Sequence, residues 1–229
     1  MSHTDIHVEA DNPWILSDTA GTALLHDVPW RRFAVIGDST AAGTGDPVPG
    51  YETLPWADRI ARWLSTAHPD TSYLNTGRVG ALIAEVRTEQ LPALDDFRPD
   101  LVYVTCGGND LFRRGADLAT VEAELDELCS AATETGARLA LFTMADAFTG
   151  KMTPLQPLFA QFADSVRRIA TRHDAILTEF WNHPARLRPD WLSADLIHLS
   201  MAGHAVVAAE IARSFAQTAN ADQSSRLVH

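Results

Sequence analysis

Short apolar runs alternate with longer amphipathic segments along most of this chain, and that alternation limits the folds open to it. The clearest run, residues 100–106 (DLVYVTC), is rich in β-branched and aromatic residues and is predicted to be a strand. Residues 54–66 instead repeat their apolar side chains at the spacing of a helix face. Strands that alternate with crossover helices favour an α/β fold with a parallel sheet covered on both faces.

The same patterns predict five strands with helices between them. The predicted strands are residues 32–36, 72–75, 100–106, 138–143 and 175–179. The predicted helices are residues 54–66, 81–94, 118–135, 155–172 and 203–216. Pro92 is expected to end or kink the second helix, and Gly136 to stop the third. Right-handed crossovers then favour a doubly wound, five-stranded parallel sheet in the order 2-1-3-4-5.

The length of 229 residues and an ordinary globular composition predict one domain. Residues 1–30 are expected to form an N-terminal extension that packs on the domain through apolar residues such as Trp14 and Leu25. Residues 31–218 are expected to form the α/β domain itself. Residues 219–229 are polar and are expected to be a frayed tail.

The charge balance argues against polyanionic partners. The formal net charge is −12, from 30 acidic and 18 basic residues, and the chain has no basic run. Because phosphates are bound by positive fields, nucleic acid and anionic membranes are disfavoured as partners. A small molecule is the expected partner, and the chain is expected to be a monomer or a homodimer.

Cys106 and Cys129 lie far apart and form no CxxC motif, so they are expected to be reduced, buried side chains. The sequence gives no motif for a metal ion or a cofactor, and none is expected. Its first ten residues lack the basic and apolar regions of a signal peptide, and no apolar run approaches the ~20 residues of a membrane helix. A cytoplasmic location is therefore expected.

Small and polar residues follow several of the predicted strands. In open parallel sheets, ligands bind outside the carboxyl ends of the strands. The segments expected there are residues 37–40 (GDST), 75–80 (NTGRVG), 107–110 (GGND) and 195–198 (DLIH). Each segment alone is weak evidence, but four of them at one edge of the sheet predict a functional site.

Ser39 follows a predicted strand, where a serine often caps a helix, so an N-cap is one interpretation. The other is a nucleophile, which would need a base because a serine hydroxyl is a poor nucleophile at neutral pH. His198 can supply that base, since imidazole titrates near neutrality. Asp195, three residues earlier, can orient the imidazole and stabilise its protonated form, although a helix-capping role also fits its position.

Asn109 lies in the GGND segment, where it would either satisfy a tight turn or donate a hydrogen bond to an oxyanion. The backbone N–H groups of Ser39 and Gly80 are candidates for the other oxyanion donors. Removal of one such donor typically costs ~10²–10³ in rate.

The first segments resemble blocks of the SGNH hydrolase superfamily, also called the GDSL esterases and lipases. That superfamily is named for a Ser, a Gly, an Asn and a His in four blocks, and the GDS of residues 37–39 is similar to the first. The family's oxyanion glycine falls on Gly80 by its spacing from Asn75, with Gly77 as the alternative. The surrounding sequence GDPVPGYETLPWADRIA is similar to that of small intracellular actinobacterial members.

The later segments extend the resemblance over residues 30–215. GGND is similar to the third block and implies an oxyanion role for Asn109. DxxHLSxxGH is similar to the fourth and implies that Asp195 and His198 are catalytic partners of Ser39. These two blocks are the most specific part of the match, because GDS alone is common.

The resemblance implies a three-layer, flavodoxin-like α/β/α domain with metal-free, cofactor-free acyl-enzyme chemistry. Ser39, Asp195 and His198 would form the catalytic triad, and Ser39, Gly80 and Asn109 the oxyanion hole. Hydrolysis of small-molecule acyl esters is the expected activity. An acyltransferase that uses the same acyl-enzyme, and a binding module that retains the fold without catalysis, are the alternatives.

Overall fold

The computed structural model describes residues 9–226, and its centre is a five-stranded sheet. The strands are β1 (Arg32–Gly37), β2 (Ser72–Asn75), β3 (Leu101–Thr105), β4 (Arg138–Phe142) and β5 (Ile176–Thr178). All neighbouring strands are parallel, and their order is β2-β1-β3-β4-β5. The predicted parallel sheet and its strand order are confirmed.

The two central strands are buried almost completely. Every residue of β3 is buried, and in β1 only Arg32 is exposed. Because both faces of the sheet are covered, these strands read as continuous apolar runs instead of alternating ones. Within β1, Phe33 and Val35 contribute to one hydrophobic cluster, and Ala34 and Ile36 to the other.

Helices cover both faces of the sheet. They are α1 (Asp18–Leu24), α2 (Trp56–Ala67), α3 (Ile83–Glu85), α4 (Pro92–Phe97), α5 (Gly108–Leu111), α6 (Leu118–Thr133), α7 (Gln156–Arg172) and α8 (Met201–Arg226). On one face, α1, α2 and α8 pack together around Trp56, Trp63 and Phe215. On the other, α6 and α7 pack around Leu128 and Phe159. This is the expected three-layer α/β/α architecture.

The helix predicted over residues 81–94 is wrong in detail. The segment consists of α3, a π-helical turn at Val86–Gln90 and the separate helix α4. Pro92 begins α4 instead of ending a helix, and at this first position its missing N–H leaves no intrahelical hydrogen bond unmade. The N–H of Leu91 reaches back five residues to the carbonyl of Val86, which inserts one extra residue into the turn.

The described residues before β1 pack on the domain, and the final helix is longer than its pattern predicts. Before β1, α1 packs against α2 and α8, and Leu25 is fully buried. The final helix runs to Arg226 instead of ending near residue 216, and Ala219 packs in the core. The part of the predicted frayed tail that lies within the described residues is therefore helical. No helix within residues 9–226 is both long and apolar enough to cross a membrane.

Candidate active site

Ser39 lies in a tight turn directly after β1. The N–H of Ala42 donates to the carbonyl of Asp38 at 3.0 Å, and the N–H of Thr44 donates to that of Ser39 at 3.0 Å. The Asp38 carboxylate accepts the N–H of Thr40 at 2.9 Å. The next helix begins only at Trp56, so Ser39 does not cap a helix. Its side chain is recessed, with 8% of its surface exposed.

Gly37 ends β1 and lies directly against Thr105 of β3, where the chain turns sharply. Its φ of +147° favours glycine, and an added Cβ would lie 1.9 Å from the carbonyl oxygen of Thr105. The next N–H, that of Asp38, donates to the same carbonyl at 2.9 Å. A larger residue at this position would therefore displace the turn that carries Ser39.

The Gly37 peptide is also held by Gln90, the last residue of the π-helical turn. The side-chain oxygen of Gln90 accepts the N–H of Gly37 at 2.8 Å, and its amide donates to the carbonyl of Gly37 at 2.8 Å. The N–H of Arg78 reaches the same carbonyl at 3.1 Å, and Gln90 is 3% exposed. Gln90 thus joins the end of β1 to the loop that carries Gly80.

Sequence reasoning missed Gln90. A signal was present, because Gln90 lies seven residues after Ile83 and four before Leu94, on the apolar face of the predicted helix. A polar side chain on such a face needs a buried hydrogen-bonding partner.

The two candidate glycines after β2 differ in their hydrogen bonding. The N–H of Gly77 donates to the side-chain oxygen of Asn75 at 2.9 Å, and an added Cβ would lie 2.5 Å from the backbone nitrogen of Ala42. Gly80 is exposed, has a φ of +77°, and within residues 9–226 its N–H donates to no other group. Gly77 therefore serves close packing, whereas the N–H of Gly80 is free for a ligand.

The GGND segment lies against the loop of Gly80. The side-chain amide of Asn109 donates to the carbonyl of Ala81 at 3.1 Å, which leaves its second amide hydrogen for another acceptor. The carboxylate of Asp110 accepts the N–H of Ile83 at 3.2 Å, and burial raises the pKa of Asp110. The loops after β2 and β3 are thus bonded to each other where Gly80 and Asn109 lie.

Asp195 and His198 lie in a hairpin at the other side of the site. Leu192 and Leu199 form an antiparallel bridge, and the N–H of Ser193 donates to the carbonyl of His198 at 2.8 Å. At the tip, Leu196 has a φ of +62°, which is unusual for a residue with a branched side chain. The hairpin therefore holds its tip in a conformation that Leu196 alone would disfavour.

The side chains of Asp195 and His198 are hydrogen-bonded within this tip. One oxygen of Asp195 lies 2.6 Å from Nδ1 of His198, and the other accepts the N–H groups of Ile197 at 2.9 Å and His198 at 3.0 Å. Although partial burial opposes it, these hydrogen bonds hold the pKa of Asp195 below its usual value. An ionised carboxylate has no proton, so Nδ1 is the donor and Nε2 is left as an acceptor.

Asp46, seven residues after Ser39, is hydrogen-bonded to this hairpin. Its carboxylate accepts the N–H of Ala194 at 2.9 Å, and its own N–H donates to the hydroxyl of Ser193 at 2.8 Å. Its carbonyl accepts the N–H of Met201 at 2.9 Å. Sequence reasoning missed Asp46, because its partners lie about 150 residues away and no local pattern reports them.

His204, in the first turn of α8, is held in the interior of the fold. It is fully buried, with Nε2 lying 3.2 Å from the carbonyl of Thr44 and Nδ1 accepting the N–H of Trp56 at 3.4 Å. Burial lowers its pKa to about 4. His204 is therefore neutral near pH 7 and fixes the turn after Ser39 on α8.

Asp38, like Asp110, is a buried titratable residue beside the site. Burial raises its pKa to about 6, against the opposing effects of hydrogen bonds from Thr40 and of the nearby His198. Its charge therefore changes near neutral pH, directly beside Ser39.

The family model described as GDSL-like Lipase/Acylhydrolase family matches residues 35–206, which is more than half of the chain. The chain belongs to that family. It is therefore a carboxylic ester hydrolase of the SGNH superfamily, and the matched range contains each of the four blocks described above.

Solved structures share the fold of this GDSL-family chain. Axe2, an acetylxylan esterase from Geobacillus stearothermophilus, is 21% identical with a TM-score of 0.64, over 80% of this chain and 93% of that one. LAE5, an alpha/beta hydrolase enzyme from the metagenome of Lake Arreo, Spain, is 23% identical with a TM-score of 0.64, over 80% and 94%. TesA is 22% identical with a TM-score of 0.65, over 80% and 96%. No curated protein matches the sequence.

An apolar pocket, here called the outer pocket, opens between the loops of this GDSL-family site. It encloses about 650 Å³, including its open mouth. Its walls are Thr40, Phe112, Phe142, Thr143, Met144, Ala145, Ala147, Phe148, Met152, Phe180, Trp191, Leu192, Leu196, Ile197, Leu199 and Val207. Among the described residues, no group of three or more His, Cys, Asp or Glu side chains could hold a metal ion, and Cys106 and Cys129 are unpaired.

Proposed function

We propose that this chain is a serine esterase that hydrolyses small-molecule acyl esters through Ser39, His198 and Asp195. The observation that carries the proposal is the 2.6 Å contact between Asp195 and Nδ1 of His198. That contact makes Nδ1 the hydrogen-bond donor, so in the neutral imidazole Nε2 is the nitrogen that can accept a proton. Ser39 would supply the proton. It is recessed, and the segment that follows it is hydrogen-bonded through Asp46 to the hairpin of His198.

In the first half-reaction, Nε2 of His198 takes the proton of Ser39 as the hydroxyl oxygen attacks the ester carbonyl carbon. The carbonyl electron pair moves onto oxygen and gives a tetrahedral oxyanion. When this intermediate collapses, the bond to the alcohol oxygen breaks and His198 returns its proton to the leaving alcohol. The acyl group remains on Ser39 as an ester.

In the second half-reaction, water replaces the alcohol. His198 accepts a proton from that water while the water oxygen attacks the acyl carbon. A second tetrahedral oxyanion forms, held by the same donors. Collapse releases the carboxylic acid and returns the proton to Ser39. An alcohol or amine acceptor in place of water would make the chain an acyltransferase.

Three donors would hold the oxyanion: the N–H of Ser39, the N–H of Gly80 and the second amide hydrogen of Asn109. The free N–H of Gly80 supports its choice over Gly77, whose N–H is bonded to Asn75. Asn109 is within hydrogen-bonding distance of Ala81, the neighbour of Gly80. Donors fixed in this way before the reaction need no reorganisation as charge develops.

Asp195 would orient the imidazole and stabilise its positive charge while it holds the proton. The lowered pKa of Asp195 supports this role, because the carboxylate then stays ionised over the pH range in which His198 works. The unpaired Cys106 and Cys129 support a further proposal, that the enzyme works in a reducing, cytoplasmic compartment.

The test is intact-protein mass spectrometry after treatment with a fluorophosphonate, which phosphonylates activated serines. We expect one adduct on the wild type and none on Ser39→Ala. Ser65→Ala is the matched control: it removes a serine of α2 that bonds only within its own helix, and it should label like the wild type.

Turnover of p-nitrophenyl esters completes the test, because it separates an activated serine from an esterase. Wild-type turnover with none in Ser39→Ala would support the proposal. A wild type that neither labels nor hydrolyses any ester of the panel would contradict it and favour a binding module. Product partition with added alcohols distinguishes hydrolysis from acyl transfer.

A further inference from the structure

The proposed nucleophile and its base lie on separate segments of the chain, and the contacts between these segments set their separation. Ser39 is in the turn after β1, and His198 is in the hairpin of residues 191–200. A misplacement of about 1 Å between reacting groups can cost ~10²-fold in rate. A contact that joins the two segments therefore acts on catalysis even if it touches no substrate.

The turn that carries Ser39 ends in a segment, residues 44–46, that is held at both ends. The N–H of Thr44 donates to the carbonyl of Ser39 at 3.0 Å, and the carbonyl of Thr44 lies 3.2 Å from Nε2 of the buried His204. The carbonyl of Asp46 accepts the first N–H of α8 at 2.9 Å. These bonds attach residues 44–46 both to the nucleophile and to the start of α8.

Ser193 joins this segment to the hairpin through one buried hydroxyl. The hydroxyl accepts the N–H of Asp46 at 2.8 Å and donates to the carbonyl of Leu199 at 3.0 Å. The N–H of Ser193 donates to the carbonyl of the neighbouring His198 at 2.8 Å. Ser193 is 5% exposed, so loss of its hydroxyl would leave the N–H of Asp46 without its acceptor where water has little access.

Gly45 allows the same two segments to approach closely. A Cβ on Gly45 would lie 2.2 Å from the carbonyl oxygen of Leu199 and 3.2 Å from the ring of His204. Neither group can move freely, because the carbonyl accepts the hydroxyl of Ser193 and the ring is fully buried. A larger residue at position 45 would therefore push the hairpin away from the nucleophile turn.

The orientation of the base within the hairpin does not depend on these contacts. Asp195 lies 2.6 Å from Nδ1 of His198, and both residues belong to the tip of the hairpin. A change at Ser193 or Gly45 should therefore keep the carboxylate and the imidazole paired and displace them together.

We propose that Ser193 is a positioning residue, whose hydroxyl, together with the close approach at Gly45, fixes the hairpin of His198 against the segment that follows Ser39. This role rests on the proposed esterase activity, in which His198 is the base. Ser193 touches no reacting atom in this role and acts through the backbone of His198 and Leu199.

The test measures turnover of a p-nitrophenyl ester by Ser193→Ala and Gly45→Ala, at a temperature where circular dichroism shows each variant to be folded. We expect kcat to fall about 10-fold or more in both, with KM changed less than about 3-fold, because a displaced base slows proton transfer and leaves ester binding intact. The rate at which the fluorophosphonate labels Ser39 should fall by the same factor.

Two variants far from the site match these changes. Ser165→Ala removes a fully buried hydroxyl of α7, and Gly21→Ala places a Cβ 2.4 Å from the ring of Trp63, where α1 contacts α2. Both should lose stability and keep kcat within about 2-fold of the wild type, because neither can move the hairpin. Ser193→Ala and Gly45→Ala variants that keep as much kcat as these controls would overturn the inference.

A double variant shows whether Ser193 acts through His198. In a His198→Ala background, Ser193→Ala should lower the remaining turnover less than about 2-fold, because a base that is absent cannot be misplaced. A further loss of about 10-fold in that background would mean that Ser193 acts on the nucleophile or the fold as a whole, against the inference.

Amide hydrogen exchange keeps this inference separate from the proposed activity. Peptides that cover residues 193–201 should exchange at least about 10-fold faster in Ser193→Ala than in the wild type, and at the wild-type rate in Ser165→Ala. Faster exchange in a chain that hydrolyses no ester would support the attachment of the hairpin by Ser193 and contradict the esterase. Exchange in Ser193→Ala equal to that of the wild type would overturn the inference.

Discussion

The two sides of the active site are built in different ways. The oxyanion side, residues 37–39, 77–83 and 107–110, is held by hydrogen bonds between segments far apart in sequence, and several of their atoms are buried. The base side, residues 191–200, is held largely by bonds within ten residues and stays partly exposed. Among the described residues, Asp46 hydrogen-bonds the base side to the segment that follows Ser39, through its carboxylate and its backbone N–H.

This difference has a physical consequence. The hydrogen bonds of a local hairpin do not connect distant parts of the fold. A change at its tip should therefore alter the chemistry and leave the stability of the fold nearly unchanged. A buried hydrogen bond between distant segments contributes to both, because its loss leaves polar groups unsatisfied in the interior. Substitutions at the tip of the base side should therefore lower activity without lowering stability. Substitutions on the oxyanion side should lower both.

The largest effect is expected at the base side. Asp195→Asn should lower kcat ~10³–10⁴-fold, because the amide no longer stabilises the protonated imidazole and favours the wrong tautomer. The midpoint of thermal unfolding should stay within about 1–2 °C, since the Asp195 side chain is 44% exposed. Steady-state kinetics and calorimetry on the same preparation check both values. A large drop in the unfolding midpoint would break the contrast between the two sides.

Asn109→Ala, on the oxyanion side, should lower kcat ~10²–10³-fold with little change in KM, because its amide bonds the oxyanion only as charge develops. Its stability cost should be about 0.5–1.5 kcal/mol, because the lost bond to Ala81 joins two separate segments of the oxyanion side at a part-buried position. Kinetics on the best p-nitrophenyl ester of the panel measure the two parameters separately. An increase in KM with kcat unchanged would assign Asn109 to substrate binding instead.

The sequence predicted the base side better than the supports of the oxyanion side. DxxH places a carboxylate and an imidazole in one turn, so spacing alone brings Asp195 and His198 together. Gln90 lies on the apolar face that periodicity predicted, but its partner, the Gly37 peptide, is 53 residues away and no local pattern reports it. Whether Gly77 or Gly80 has a free N–H depends on the hydrogen bond that Gly77 donates to the side-chain oxygen of Asn75, which no pattern records. The strand order followed from the handedness of crossovers, which is a general rule.

Gln90→Leu tests whether the oxyanion side couples activity to stability. It removes both hydrogen bonds to the Gly37 peptide and should cost about 1–3 kcal/mol in the free energy of unfolding. We expect kcat to fall about 10-fold with KM nearly unchanged, because the N–H groups of Ser39 and Gly80 lose their fixed separation. Urea unfolding and steady-state kinetics provide the two measurements.

The control for Gln90 is a variant of similar stability cost far from the site. Ser165→Ala on α7 removes a fully buried hydroxyl that donates to Glu122, and it should lower stability without lowering kcat. Gln90→Glu should recover part of kcat if its carboxylate still accepts the N–H of Gly37. If Ser165→Ala and Gln90→Leu lost the same fraction of kcat, Gln90 would act on the stability of the fold alone and would not position the oxyanion donors.

The smallest effect concerns pH, where two buried groups beside the site oppose each other. Asp38 has a folded pKa of about 6, above its value of 3.8 when unfolded, so its contribution to stability is present at low pH and is lost as the pH rises through about 6. His204 has a folded pKa of about 4, below its unfolded value of 6.5, so its contribution is present above pH 6.5 and is lost as the pH falls towards 4.

Each shift corresponds to about 3 kcal/mol, and between pH 4.5 and 6.5 the two slopes nearly cancel. The free energy of unfolding of the wild type should therefore change by only about 1 kcal/mol from these groups. Asp38→Asn keeps an oxygen for the N–H of Thr40 but cannot titrate, so the contribution of His204 is no longer offset by that of Asp38. That variant should lose about 2–3 kcal/mol between pH 6.5 and 4.5, as measured by urea unfolding at several pH values. A variant as flat as the wild type would mean that the shifted pKa of His204 contributes nothing to stability in this range, and that Asp38 has no opposing contribution to cancel.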